Sequence, residues 1–425
     1  MKVGIAVWRR PSIDVPLWFL ELGMVKKLLK IFFGMCLVAL ISAALFVFRP
    51  WADHQGWRLF HQANPFITRI HTHSNWHLVS PYVVLKAPKE SRRYARELVD
   101  LTDITYTYEG ATYTAQDYFN KANLVGLMVL HDGKVVVESY AQGVTPSTTY
   151  MLMSSTKSFT ATLVGMALHE GKIESLDDPV EKYAIQYAGS AYGETPIRHL
   201  LMMASGINFY HPSEYSPNRR DLYFDLWVRR KSFDGATAAM TRRAESGKAF
   251  IYLATDTHVL SRVVEGAYQQ PFIEVVQENL WTPGGFASDA QWSVDVDGNP
   301  FGQMALSTTL QDFAHFGQLH LEDLIFEGRK RVDDDWLTMI SRAQAPFQEP
   351  QVTSDGRYID GYSFQWWLPV DYDEEFIARG AGQQYLYVNK KQGYVVAQFS
   401  GLGSASRKEE ITFYRAVGAY LRGQP

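Results

Sequence analysis

The chain has 425 residues, 46% of them hydrophobic and 20% charged, with a formal net charge of −4. That is enough for one large domain or two smaller ones, and the near-neutral balance leaves no electrostatic footprint for nucleic acid. Cys36 is the only cysteine, so the rest of the chain can hold no disulfide, cysteine metal site or thiol nucleophile.

From the N-terminus, residues 1–23 sit awkwardly ahead of Met24-Val25-Lys26-Lys27, which reads like the start of a targeting segment. Translation is expected to begin at Met24, making residues 1–23 a non-native extension. Lys26, Lys27 and Lys30 precede Ile31 to Phe48, a run of 18 residues without a charge that Arg49, Pro50 and Trp51 close. Residues 24–50 therefore read as a membrane anchor or signal segment. The run is slightly short of the roughly 20 residues that span a bilayer, which keeps a cleaved signal peptide as the rival. No clean Ala-x-Ala site follows and Trp51 suits an interfacial anchor, so one uncleaved transmembrane helix is expected. The positive-inside rule then makes this a single-pass protein of a bacterial inner membrane, its bulk facing the periplasm or the exterior. Phe33-Gly34-Met35 before Cys36 is a poor lipoprotein signal.

Residues 51–120 read as a connecting region packed on the domain that follows, with a helix around Glu90 to Leu98. His71, His73 and His77 cluster here as candidate metal ligands. Carboxylates are few nearby and a loop is expected, so no metal site is assigned.

The domain proper spans residues 121–425. Leu124–Leu130 and Val135–Tyr140 flank His131-Asp132-Gly133-Lys134, a strong hairpin signal. Next comes Ser154-Ser155-Thr156-Lys157, running into an amphipathic stretch through His169. If a helix starts there, Ser154 and Lys157 lie one turn apart on one face, the arrangement of a nucleophile beside its base. Burial and the helix dipole would disfavour the ammonium form of the lysine, and free N–H groups at the helix start could stabilise an oxyanion. Alone the motif is weak, because about one match is expected by chance in a chain this long and an N-cap serine followed by a solvated lysine accounts for it more readily. Helical periods follow at Ile197–Ala204, Thr255–Glu265, Phe272–Leu280, Leu310–His320 and Lys408–Leu421. Strand patterns recur at Tyr362–Val370, Phe376–Arg379, Gln384–Val388 and Tyr394–Phe399. The expected class is α+β: an antiparallel sheet formed from both ends of the domain, flanked by helices, with an inserted mainly helical region.

Three patterns in order supply the context. They are Gly171-Lys172-Ile173-Glu174-Ser175-Leu176-Asp177-Asp178-Pro179-Val180, the segment Ile197 to Ile207 ending in Ser205-Gly206-Ile207, and Phe250-Ile251-Tyr252-Leu253-Ala254. With Ser154 and Lys157, the chain resembles the serine β-lactamase and penicillin-binding protein superfamily over roughly residues 120–420. Its class C-like branch, of the esterase and 6-aminohexanoate-dimer hydrolase type, is the most similar. The resemblance implies that Tyr252 shares acid and base work with Lys157. Two departures stand out: Ala254 replaces the polar residue of the second motif, and Ala378-Arg379-Gly380-Ala381-Gly382-Gln383-Gln384 stands where the third motif has Lys-Thr-Gly or His-x-Gly. Arg379 would replace the missing charge or point to the far face of its strand. Gly380, Ala381, Gly382 and Gln383 would line the acyl group, a backbone N–H from Ala381 to Gln383 completing the oxyanion hole. Segments Trp281–Phe286 and Gly302–Thr309 resemble structural parts of the family, and Tyr210–Phe233 falls where its members place substrate loops.

The resemblance implies a serine hydrolase that acylates Ser154 with a small ester or amide and needs no cofactor or metal, and the segment at 24–50 would anchor it in the membrane. A β-lactamase or D-amino-acid peptidase of the cell envelope is the alternative, disfavoured by the two departures. A catalytically silent ligand-binding domain of the same fold is the other.

Overall fold

The protein is described here by a computed structural model covering residues 30, 32–35, 37–38, 81–208 and 232–423. Residues 1–29, most of the apolar run to Phe48, the histidines at 71, 73 and 77, and nearly all of Tyr210–Phe233 lie outside the described residues. The chain divides into two units, Met1–Phe60 and His61–Pro425. In the first, residues 30, 32–35 and 37–38 are helical. Among the described residues no helix is long and apolar enough to cross a membrane, and no group of histidines, cysteines and carboxylates could hold a metal.

The second unit opens with strands β1 (Tyr82–Leu85), β2 (Ala95–Arg96), β3 (Thr105–Tyr108) and β4 (Ala111–Thr114), then helix α1 (Ala115–Lys121). The helix expected around Glu90 to Leu98 is thus a short strand: Ala95 and Arg96 pair in parallel with Lys134 and Val135. A long-range backbone ladder outweighs the local helical propensity there. Thr114 caps α1 and forms a reciprocal box with Asp117.

The hairpin β5 (Leu124–His131) and β6 (Lys134–Tyr140) turns at Asp132 and Gly133, with φ of 49° and 70°. Two left-handed residues in succession match the twist of the flanking strands, as Asp-Gly predicted. Strand β7 (Thr149–Met151) leads to α2 (Thr156–His169), and the helical middle continues with α3 (Ile197–Leu201), α4 (Phe233–Ala238), α5 (Ala254–Tyr268) and α6 (Phe272–Val276). Then come β8 (Ala290–Ser293), β9 (Leu306–Thr309), α7 (Leu310–Leu321), the pair β10 (Ile325–Phe326) and β11 (Arg329–Lys330), α8 (Asp334–Ser341), and the pair β12 (Gln351–Val352) and β13 (Tyr358–Ile359). The chain closes with β14 (Gly361–Ser363), β15 (Trp366–Leu368), β16 (Glu375–Gly380), β17 (Gln384–Asn389), β18 (Tyr394–Ser400) and α9 (Arg407–Arg422).

The main sheet runs β14-β15-β16-β17-β18-β5-β6-β2, so strands from the two ends of the domain meet where β18 pairs antiparallel with β5. Alternate residues bury against different layers. Met128, Leu130, Val395 and Ala397 pack towards α2 and α7, whereas Leu127, Val129, Tyr394 and Val396 pack under Phe413, Tyr414 and Val417 of α9. A smaller sheet, β1-β8-β9-β7, carries the approach to α2.

Helix α2 is not amphipathic: every residue from Thr156 to Ala167 is buried. It threads the space between the sheet and the helical region, so its polar side chains find internal partners. Ser158 donates to the Gln365 carbonyl at 2.8 Å and Thr160 to the Gly302 carbonyl at 2.6 Å.

Candidate active site

Ser154 lies in a turn of 3₁₀ helix, Met153–Ser155, that feeds directly into α2. Met153 has φ of 52°, a left-handed conformation that a residue with a side chain adopts only under constraint from its surroundings. The constraint is visible on both sides of the turn. A Cβ on Gly380 would stand 2.1 Å from the Leu152 carbonyl oxygen, and Ser155 donates its hydroxyl to the Gln384 carbonyl at 2.7 Å. The end of β16 and the start of β17 therefore clasp the Ser154 turn, and glycine at 380 is a steric requirement.

Lys157 is buried in the first turn of α2, its Nζ 3.1 Å from Ser154 Oγ and 2.8 Å from the Gln303 carbonyl oxygen. Tyr252 precedes α5, with its ring centroid 5.2 Å from the same Nζ and its phenol hydrogen-bonded with Ser154. Burial pushes the phenol up to about 12, opposed by the Ser154 hydrogen bond and the positive charge of Arg407. At neutral pH Tyr252 therefore carries its proton. The structure brings Ser154, Lys157 and Tyr252 together from segments far apart in the sequence.

Of the third motif, Gly380 to Gln383 lie at the turn beside Ser154, with Gly382 and Gln383 left-handed at φ of 81° and 63°. Arg379 points elsewhere. Its guanidinium is buried, with Nη1 2.8 Å from Glu410 Oε2 on α9 and Nε 3.3 Å from Asp360 Oδ2. Neighbours on a strand face opposite ways, so Gly380 at the nucleophile turn sends Arg379 towards α9. Its charge is bound by two carboxylates and does not replace that of the third motif's first residue.

Sequence reasoning missed two groups. The Gln303 carbonyl anchors Lys157, yet a backbone oxygen leaves no residue-type signature. The other is an aromatic wall on which Tyr252 leans. Trp367 lies 5.3 Å and Tyr362 5.9 Å from its ring, centroid to centroid, and Arg407 covers Trp367 at 5.2 Å. The paired tryptophans at 366 and 367 and the arginine at the start of a helical pattern were the available signals.

The geometry assembles a hydroxyl, an amine and a phenol at a helix start, the parts needed for acyl transfer. The profile of the beta-lactamase family matches residues 120–419. The chain belongs to that family. As a beta-lactamase-family protein it is a serine hydrolase of the β-lactamase-related type. It is 27% identical over 284 residues to a 6-aminohexanoate-dimer hydrolase of Paenarthrobacter ureafaciens, covering 64% of this chain and 71% of the relative. Among solved structures, a Bacillus anthracis protein provisionally assigned as a 6-aminohexanoate-dimer hydrolase superposes with a TM-score of 0.73 at 20% identity, over 85% of this chain and 96% of that one. A class C beta-lactamase superposes with a TM-score of 0.53 at 16% identity, over 73% and 95%. These likenesses establish the α+β β-lactamase-like fold.

Proposed function

We propose that the protein cleaves a small ester or amide through an acyl-enzyme on Ser154. The observation that carries this reading is the contact of Lys157 Nζ with Ser154 Oγ at 3.1 Å beside a protonated Tyr252. With the phenol protonated, Lys157 is the base that takes the Ser154 proton as the hydroxyl attacks the carbonyl. The phenol of Tyr252 donates to the leaving group, and water then attacks the acyl carbonyl with the same groups in reverse. Backbone N–H groups at the start of α2 and in the 381–383 turn are the oxyanion donors.

Ala254 opens α5 with no polar side chain, which favours esters and small amides over β-lactams. A linear amide ending in a carboxylate is the second reading. The Paenarthrobacter relative is named for such a dimer, and Arg407, with half of its side chain exposed at 50%, offers a cation at the edge of the aromatic wall. The charge-free run from Ile31 to Phe48 supports anchoring in a bacterial inner membrane with this domain outside; the chain partitioning into alkaline-washed membranes would test it.

The deciding experiment exposes the purified full-length chain to a fluorophosphonate and reads intact mass, comparing wild type with Ser154→Ala. One adduct on wild type and none on the variant is expected. An adduct that persists in the variant would refute Ser154 as nucleophile.

A further inference from the structure

We infer that Glu410 is a positioning residue for acylation: together with Arg379 it holds Gln383, and through Gln383 the 381–383 turn, against the nucleophile segment. This rests on the acyl-enzyme reading above and concerns a part of the site that touches no substrate.

The turn is awkward to hold. Gln383 is left-handed at φ of 63° and its side chain is buried, with Nε2 donating to Glu410 Oε1 at 2.6 Å and to the Ala405 carbonyl at 3.0 Å. Glu410 spends its other oxygen on Arg379 Nη1 at 2.8 Å. Both oxygens of this fully buried carboxylate thus serve β16 and the turn. The residues they grip bracket Gly380, whose strand backbone abuts Leu152, two positions before Ser154. A shift of the turn passes to the oxyanion donors, where misplacement by about 1 Å costs roughly 10²-fold in rate.

The charge state of this support is poised. Facing Glu410 are Arg379 and Asp360, with Tyr385 on β17, Tyr118 on α1 and Tyr414 on its own helix. Arg407 reaches Asp360 only at 3.5 Å and is half exposed. Two buried carboxyls share one buried guanidinium, and burial pushes Glu410 up to about 7 against the pull of Arg379. Ionised, Glu410 makes charge-assisted bonds to both partners. As pH falls through about 7 it gains a proton, those bonds weaken and the turn loosens.

The test compares wild type, Glu410→Ala, Glu410→Gln and Gln383→Ala as full-length proteins. It measures fluorophosphonate labelling rate, kcat and KM on a p-nitrophenyl ester, each from pH 5.5 to 8.5. Expected are a fall in kcat and labelling rate of about 10-fold or more in Glu410→Ala with KM within about twofold, partial rescue in Glu410→Gln, and loss in that variant of the rate step near pH 7. A role in stability alone would lower the melting temperature and leave the rates of the folded variant untouched, and that result overturns the inference. Should Glu410→Ala fail to fold, Gln383→Ala decides: unchanged kcat overturns the inference, and a selective kcat loss sustains it. Wild type that takes no label overturns the acyl-enzyme reading and this inference with it, whereas a labelled wild type with unaffected variants overturns only the inference.

Discussion

At the scale of the residue, Tyr252 shows how environment divides labour between two proton carriers. Its phenol is driven up to about 12 chiefly by burial, so in the proposed mechanism it serves as donor and relay, and the proton first leaves Ser154 towards Lys157. The Gln303 carbonyl at 2.8 Å keeps the amine aimed at Ser154 while Tyr252 adjoins from the side. Tyr252→Phe removes the donor while keeping the ring that packs on Trp367, so the fold and KM should survive. We expect kcat on a p-nitrophenyl ester to fall by about 10²–10⁴-fold, the range of general acid–base contributions. Steady-state kinetics with circular dichroism would check it, and kcat within twofold of wild type would remove Tyr252 from the mechanism. The same upward push means that wild-type activity should show no loss from tyrosine ionisation up to about pH 10.

At the scale of the element, the end of β16 is the sharpest constraint on the nucleophile turn. A methyl at position 380 would meet the Leu152 carbonyl at 2.1 Å, and a backbone atom cannot swing aside as a flexible side chain would. Either the strand or the turn must move, so Gly380→Ala should keep the sheet, in which β16 is buried along its whole length, and lose fluorophosphonate labelling by about 10²-fold. Labelling at the wild-type rate in a folded variant would show that the clasp is not needed. This constraint was legible only in part: the glycines of the third motif were expected to leave room for an acyl group, whereas the contact with the Leu152 carbonyl is set by the fold. The hairpin at Asp132-Gly133 was fully legible, since its two left-handed positions carry residue types that favour them. By contrast Tyr362–Val370, read as one strand, is two: β14 and β15 turn at Phe364 and Gln365, left-handed at φ of 39° and 69°. Neither residue advertises a turn. Gln365 is held there by tertiary bonds, its amide donating to the Leu200 and Leu201 carbonyls at 2.9 and 3.1 Å. The burial of α2 on every side was hidden for a related reason: serines and threonines mark a polar face only until internal partners are found. The destination of Arg379 was left open by the sequence because strand parity needs a reference point, and the contact of Gly380 with Leu152 supplies it.

At the scale of the whole molecule, the buried titrating groups oppose one another across the physiological range. Asp256 sits in the first turn of α5, where Tyr192 and Ser205 both donate to its Oδ1 at 2.8 Å while Oδ2 has no hydrogen-bond partner among the described residues, and burial pushes it up to about 7. A carboxyl whose folded pKa is raised binds more protons folded than unfolded between about 4 and about 7, so its contribution to stability is lost as pH rises through that window. Glu410 acts in the same sense. His315 and His320, held neutral by burial and pushed down to about 4, act in the opposite sense. The folded state binds fewer protons at these rings between about 4 and about 6.5, so they add stability as pH rises. The wild-type melting temperature should therefore change little from pH 5 to 6.5, although each contribution is large. Asp256→Asn exposes one of them. The amide oxygen can still accept from Tyr192 and Ser205, and the side chain no longer ionises, so the downhill contribution disappears. Relative to wild type, its melting temperature should climb steadily from pH 5 to about pH 7 and then level off, by about 2–4 °C for each kcal/mol removed. Calorimetry of both proteins at half-unit intervals reads that difference directly. A difference that stays constant with pH would mean that Asp256 is ionised in the folded protein throughout, with its charge stabilised by the start of α5.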